Sequence, residues 1–192
     1  SSGSLIEKLK ERYPNMDIVG VEPGRDYRKF SISRGNKVFE RISDLSSKFD
    51  CILSFFVLEH IDDPLMWVRN TINCLNENGV LIFVVPNINE VMVSEYKVNN
   101  YMKFVWQLPH VSYFSTKSLK LLLSSNIGNV EVHNYQRYSL SNHLNWALNL
   151  KPSISVNYDF ISEELEYHYK NDLEKKDRAD ALIGLYRKSK IT

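Results

Sequence analysis

Two short, almost wholly apolar runs restrict this chain more than any other feature: 49–55 (FDCILSF) and 80–85 (VLIFVV). Each has the length of a strand, and a nearly unbroken apolar run is the mark of a strand covered on both faces. The segment between them has a helical pattern. Asp63 stands as its cap and Pro64 takes the first helical position. Leu65, Val68, Ile72 and Leu75 recur as a buried stripe, and Gly79 is expected to end the helix. Strand, helix and strand at this spacing specify an α/β fold, a mostly parallel sheet with helices on both faces.

The rest of the chain repeats the alternation. Leu5, Ile6, Leu9 and Tyr13 share one face of a helix over 4–13, and 17–22 is a strand. A short helix over 25–33 and a short strand over 37–40 follow. Residues 87–114 are long for a connection and rich in aromatic groups, which argues for function rather than disorder. Ser115 then caps a helix carrying Leu119, Leu122 and Leu123, with Phe114 and Leu119 at the spacing of a hydrophobic staple. Gly128 closes that helix, 130–138 is a strand, and Lys151-Pro152-Ser153 breaks the chain. Ile161, Leu165 and Tyr169 mark a charged surface helix, and 181–187 is the last strand. The 192 residues suffice for a single domain over 1–192. Within it, 87–114 and 139–178 are expected to be substrate-side insertions.

Charge and composition exclude several classes. The net charge is +1, so no strong field invites nucleic acid or an anionic membrane. No apolar run approaches the ~20 residues of a spanning helix. Ser1-Ser2-Gly3-Ser4 has neither the basic nor the apolar region of a signal peptide. Cys51 and Cys74 fall inside core elements, as expected of buried thiols in a reducing, cytoplasmic setting.

Open α/β sheets bind ligands at the carboxyl ends of their strands. Glu22 stands at such an end, with Pro23 and Gly24 turning the chain behind it. A carboxylate can accept from both hydroxyls of a ribose at once, so Glu22 is a nucleoside signal. The same device serves dinucleotide sites. At the start of the chain, "SSGSLIEKLKE" reads as the tail of a glycine-rich loop entering a helix, with Gly3 letting backbone approach a ligand. The strand that would precede such a loop is expected upstream of Ser1. The strands at 17–22 and 50–55 are therefore not expected to pair with each other.

Taken in order, these stretches resemble the class I S-adenosylmethionine-dependent methyltransferases. "SSGSLIEKL" is similar to the end of the family's D/E-x-G-x-x-x-G motif, with Gly3 as the last glycine. "VGVEPG" resembles the acidic second motif. "FDCILSFFVLEHIDDP" resembles the fourth strand with its trailing Val57-Leu58-Glu59-His60 and Asp63-Pro64. "NENGVLIFVVPN" is similar to the fifth strand, and "ADALIGLYRK" to the terminal strand, which enters the sheet antiparallel.

The resemblance implies a Rossmann-like sheet and S-adenosylmethionine as cofactor. Glu22 would hold the ribose, with Pro23 and Gly24 shaping the turn. Ile42, in a loop where Arg41 replaces a common acid, would pack on adenine. Ser54, Phe55 and Phe56 would lie near the methionine part. Some relatives bind a divalent metal through a Glu-x-x-Glu-His run. Here Glu59 and His60 are present but Phe56 takes the first glutamate's place, so His60 reads as structural and no metal is expected. If the acceptor is a hydroxyl, a histidine base suits the chemistry. His168 is expected in solvent and His133 packed in a strand, which leaves His110, ahead of His143, as the candidate base. Tyr101, Trp106, Tyr113, Arg137 and His143 would form an acceptor pocket suited to a sugar or its nucleotide carrier, or else a homodimer contact. Two other readings stand beside this one: a nicotinamide-dependent oxidoreductase on a similar sheet, and a non-catalytic methyltransferase-like partner subunit.

Overall fold

The computed structural model describes residues 2–128, 130–149, 151–152 and 158–189. Two compact units make up the chain, Ser1–Phe49 and Asp50–Thr192. In the first, helix α1 (Ser4–Arg12) leads to strand β1 (Val19–Val21), helix α2 (Arg25–Ser33) and strand β2 (Lys37–Phe39). β1 and β2 pair in parallel, Gly20 opposite Val38. The helix at 25–33 forms at its expected bounds, while the strand at 17–22 shortens to three residues. A single 3-10 turn, Ile42–Asp44, closes the unit, with the Asp44 carboxylate accepting from the Arg41 backbone N–H at 2.9 Å.

The second unit holds a four-stranded sheet in the order β3-β4-β6-β5. Its strands are β3 (Phe49–Phe55), β4 (Leu75–Pro86), β5 (Val130–Tyr135) and β6 (Ala181–Arg187). β6 runs antiparallel to both neighbours, as expected of the terminal strand. β1 is bonded to β2 and β3 to β4, so the strands at 17–22 and 50–55 belong to different sheets.

The core lies on one sheet face. Leu81, Phe83 and Val85 stand opposite Tyr186, Gly184 and Leu182 across the β4–β6 ladder. Over them pack Val68 of helix α3 (Pro64–Asn73) and Leu119 and Leu123 of helix α6 (Thr116–Ile127). Gly184 is fixed by this packing: a Cβ there would lie 2.0 Å from the Phe83 ring. Both helix starts follow the sequence. Asp63 accepts from Met66 N–H at 2.8 Å, and Ser115 and Ser118 cap each other's backbone at 3.1 and 2.9 Å.

Several expectations need correction. α3 ends at Asn73, before Gly79, because fully buried Leu75 already begins β4. β3 is covered on one face only. Ser54 is buried, while Leu53 and Phe55 stay 39% and 42% exposed, so its apolar run follows the two-residue period of a half-covered strand. Cys51, on that open face, is exposed, and Cys74 is half-buried, so neither is the core thiol expected; both are free. The strand expected over 130–138 stops at Tyr135, and His133 is exposed on it beside Glu131. His168 is exposed, as expected.

The described residues of 87–114 and 139–178 carry helices, one of them the charged surface helix expected around Leu165 and Tyr169. They form α4 (Val91–Ser94), α5 (Asn99–Val105), α7 (Leu140–Asn149) and α8 (Glu163–Lys175). Val91, Met92, Tyr101, Trp146 and Leu173 join across these helices in a second, smaller core, with the Tyr101 and Trp146 rings edge-to-face at 5.2 Å. Among the described residues, no helix is long and apolar enough to cross a membrane.

Candidate functional site

In the first unit, Glu22 follows β1 directly, its N–H donating to the Phe39 carbonyl at 2.9 Å. Its carboxylate accepts from the Gly24 N–H at 2.8 Å. A Cβ on Gly24 would sit 2.8 Å from Glu22 Oε1, so any larger residue there would push the carboxylate from this position. Arg28 locks the same turn by donating to the carbonyls of Glu22 and Pro23, each at 2.8 Å, and pairs with Glu40 at 2.7 Å. Gly3 adopts φ 85° at the start of α1. A Cβ there would meet Ser31 Oγ at 2.2 Å, so close packing on the end of α2 already demands glycine. Ile42 is half-buried.

In the second unit, the carboxyl ends of β3, β4 and β5 and the start of β6 gather buried charge. Phe56, just past β3, has φ 55°, a left-handed conformation that is costly for a bulky residue. Its N–H donates to the Val84 carbonyl at 2.9 Å, and the Arg137 guanidinium lies 4.2 Å from its ring centre. Arg137 binds Asp180 twice, through its backbone N–H at 2.6 Å and its Nε at 2.5 Å. Two further carboxylates feel the same arginine: Glu90, 3% exposed, and Glu59, 1% exposed. Burial dominates at all three acids and raises their pKa values, and Arg137 opposes it. Glu90 is pushed up to about 8, with the Asp180 charge adding to burial. The Tyr101 hydroxyl donates to it at 2.7 Å.

His110 reaches this edge on a loop tied to the turn after β3. The Glu59 carbonyl accepts from the N–H groups of Val111 and Ser112 at 2.9 and 3.1 Å. His60 Nδ1 lies 2.9 Å from the Pro109 carbonyl. These bonds bring the His60 and His110 rings to 4.8 Å, edge-to-face. Burial, with His60 beside it, lowers the His110 pKa and so favours the uncharged imidazole. The aromatic run continues outward: Tyr113 lies 5.6 Å from His110, and Trp106, 44% exposed, lies 4.4 Å from Tyr113.

The structure therefore brings His110, Tyr113 and Trp106 into one run, and Phe56 and Arg137 into a second contact. Ser54 is buried, and Phe55 lies on the exposed face of β3. Tyr101 and His143 are each 2% exposed and present almost no surface to an acceptor. His143 is fixed by the Tyr169 hydroxyl at 2.7 Å, and burial, with Lys170 nearby, holds its pKa down at about 4. Sequence reasoning missed Glu90 and Asp180. Nothing in a loop glutamate, or in an aspartate before a strand, announces deep burial. A surface depression lined by Thr116, Lys117, Lys120, Leu121, Ser124 and Asp177 contains none of the expected site residues and is open to solvent.

Comparison with known proteins agrees with this architecture. The family profile described as a methyltransferase domain matches residues 1–128. No curated protein matches significantly. Among solved structures, the chain is similar to a SAM dependent methyltransferase from Archaeoglobus fulgidus, with TM-score 0.60 and 16% identity over 97% of this chain and 82% of that one. It is also similar to the plantazolicin methyltransferase BpumL, solved in complex with a pentazolic desmethylPZN analog and SAH (TM-score 0.62, 12% identity, 98% and 74% covered). A third is StiE O-MT (TM-score 0.58, 16% identity), where the whole of this chain covers 66% of that one. The oxidoreductase alternative falls with the family match, and the chain belongs to the methyltransferase domain family, in its class I, S-adenosylmethionine-dependent form.

Proposed function

We propose that the chain methylates a hydroxyl of a small acceptor, a sugar or nucleotide-sugar being the class best suited to its half-exposed aromatic run. The observation that carries this reading is His110, an imidazole near the carboxyl end of β3 in ring contact with Tyr113, which Trp106 meets in turn, and with its pKa lowered by burial. A neutral imidazole accepts a proton, and an alcohol needs a proton acceptor as its oxygen is alkylated. Trp and Tyr faces suit the apolar side of a sugar ring.

S-adenosylmethionine, when bound, supplies a methyl group on a positively charged sulfur, which the acceptor oxygen displaces. The protein's own part is to place the groups and exclude water. Glu22 takes the ribose hydroxyls, its turn held by Gly24 and Arg28. Ser54, Phe55 and Phe56 serve the methionine end. Arg137, held by Asp180, offers donors to an acceptor's oxygens, and His110 receives the hydroxyl proton.

Calorimetry with S-adenosylmethionine, then assay of a saccharide and nucleotide-sugar panel with products mapped by mass spectrometry, tests the reading. Cofactor binding and an O-methylated product are expected. Methyl groups found only on nitrogen would overturn the acceptor assignment, and absence of cofactor binding would favour the non-catalytic subunit.

A further inference from the structure

We infer that Glu59, His60 and His110 form a binding site for a divalent transition-metal ion of zinc-like preference. Their ligand atoms all lie within 4.8 Å of one another. The inference goes beyond the proposed reading and does not rest on it: the base role of His110 belongs to the metal-free protein, because the one nitrogen left without a partner, Nδ1, cannot hold an ion and a proton at once.

Three observations converge. First, among the described residues, three buried side-chain atoms have no hydrogen-bond partner, and two of them belong to this cluster: Glu59 Oε2 and His110 Nδ1. A carboxylate oxygen buried without a partner costs free energy unless a cation or proton meets it. Second, both histidines are turned as metal ligands are. The Nδ1 of His60 faces the Pro109 carbonyl at 2.9 Å, which leaves its Nε2 lone pair for a ligand. His110 is hydrogen-bonded to the Val105 backbone, which leaves the orphaned Nδ1. A ligating histidine almost always donates its other N–H to a carbonyl or carboxylate, which fixes tautomer and orientation. Third, the loop that delivers His110 is pinned to Glu59 by the two backbone bonds from Val111 and Ser112, so the three donors are held by one small framework.

The donor set selects the ion. Two imidazoles and one carboxylate suit zinc and its neighbours, while magnesium and calcium want more oxygens. Phe56, three residues before Glu59, brings no second carboxylate, which strengthens the bias against hard cations. Bond lengths of ~2.0–2.2 Å in a tetrahedral site need donors about 3.3 Å apart. The widest pair here must therefore close by up to about 1.5 Å, a movement within reach of side-chain torsions. Three protein ligands leave a position for an acceptor oxygen. Whenever the ion is bound, His110 holds it instead of a proton.

The test uses the whole chain after dialysis against a chelator. Zinc, cobalt and magnesium are titrated by calorimetry, and cobalt also by visible absorption. One zinc or cobalt per chain is expected, with the cobalt bands of a nitrogen-ligated, four- or five-coordinate ion, and far weaker magnesium binding. His60→Ala, His110→Ala and Glu59→Gln should each weaken zinc by more than the ~10–100-fold typical of losing an outer-shell partner. Circular dichroism confirms their folding. Should a variant unfold, X-ray absorption of the zinc-loaded parent protein decides, and two imidazoles in the shell are expected. Absence of stoichiometric zinc or cobalt binding, undiminished affinity in folded variants, or a shell without imidazole overturns the site. Calorimetry with S-adenosylmethionine on the same preparation is independent of these results. Its failure would count against methyl transfer and leave the metal measurement standing.

Discussion

Glu90→Gln should make the protein more stable, increasingly so as pH rises. Glu90 is 3% exposed, and its pKa is pushed from 4.5 to about 8, chiefly by burial and further by Asp180. Below pH 4.5 the native and unfolded chains both hold the proton, and the group contributes no difference. Between 4.5 and 8 the unfolded chain releases it while the native chain keeps it, so unfolding is favoured as pH rises. One pKa unit corresponds to about 1.4 kcal/mol, which gives about 3 kcal/mol at pH 7 and nearly 5 above pH 8. Glutamine carries no such charge and still offers an oxygen to the Tyr101 hydroxyl. The free energy of urea unfolding, measured for both proteins from pH 5 to 8.5, should therefore diverge steadily. Effects of Asp180 and Glu59 are present in both proteins and largely cancel in the difference. Parallel curves across that range would refute the reasoning and show that Arg137 keeps Glu90 ionised in the native state.

Four further outcomes are expected. His143 titrates at about 4 when folded, so its contribution is present above pH 6.5 and lost as pH falls toward 4, by about 3 kcal/mol; His143→Gln should flatten that limb of the unfolding profile. Gly184→Ala should lower stability by at least the ~1–3 kcal/mol of overpacking, and a smaller residue at Phe83 should restore part of it if the β4–β6 register is correct. Glu22→Ala should weaken S-adenosylmethionine by about 10-fold or more in calorimetry, since a hydrogen bond to a charged group contributes ~1.5–3 kcal/mol. In the metal-free protein, His110→Ala should leave cofactor affinity intact while turnover falls by roughly 10²–10⁴, the usual effect of removing a positioned base.

The elements with local signals were legible. Asp63 before Pro64 and Ser115 mark helix starts through bonds made within a few residues, Gly128 marks a helix end, and the structure places them so. The run at 181–187 is a strand at its expected bounds. What failed depended on distant partners. Leu75 continues a helical stripe in sequence, yet it starts β4 because its side chain is claimed by the sheet's core. The segment LSNHLNWALN carries little helix propensity. It becomes α7 because Trp146 is buried in the second core and His143 is held by Tyr169 from α8. The exposed face of β3 was illegible for the complementary reason, since an apolar run records an affinity for cover and not whether cover is present.

The candidate site shows the same division more sharply. Glu22 was readable because strand, acid, proline and glycine are adjacent, and the Gly24 N–H bond that orients the carboxylate spans only two residues. Glu59 and His60 were visible as a pair, but a pair of adjacent donors makes a poor cation site. Their third partner lies beyond an entire strand and the α4–α5 insertion. It is delivered by bonds from Val111 and Ser112 to the Glu59 carbonyl, which no periodicity encodes. Glu90 and Asp180 were hidden likewise, because a carboxylate's burial is decided by what folds over it. Three buried acids around one arginine leave negative charge uncompensated, and the protein meets it by shifting proton affinity rather than by adding cations. At Glu59 the buried carboxylate lies within 4.8 Å of a ring nitrogen of His60 and of His110. The same burial that makes Glu90 a liability for stability thus leaves at Glu59 a carboxylate whose charge the proposed cation would offset.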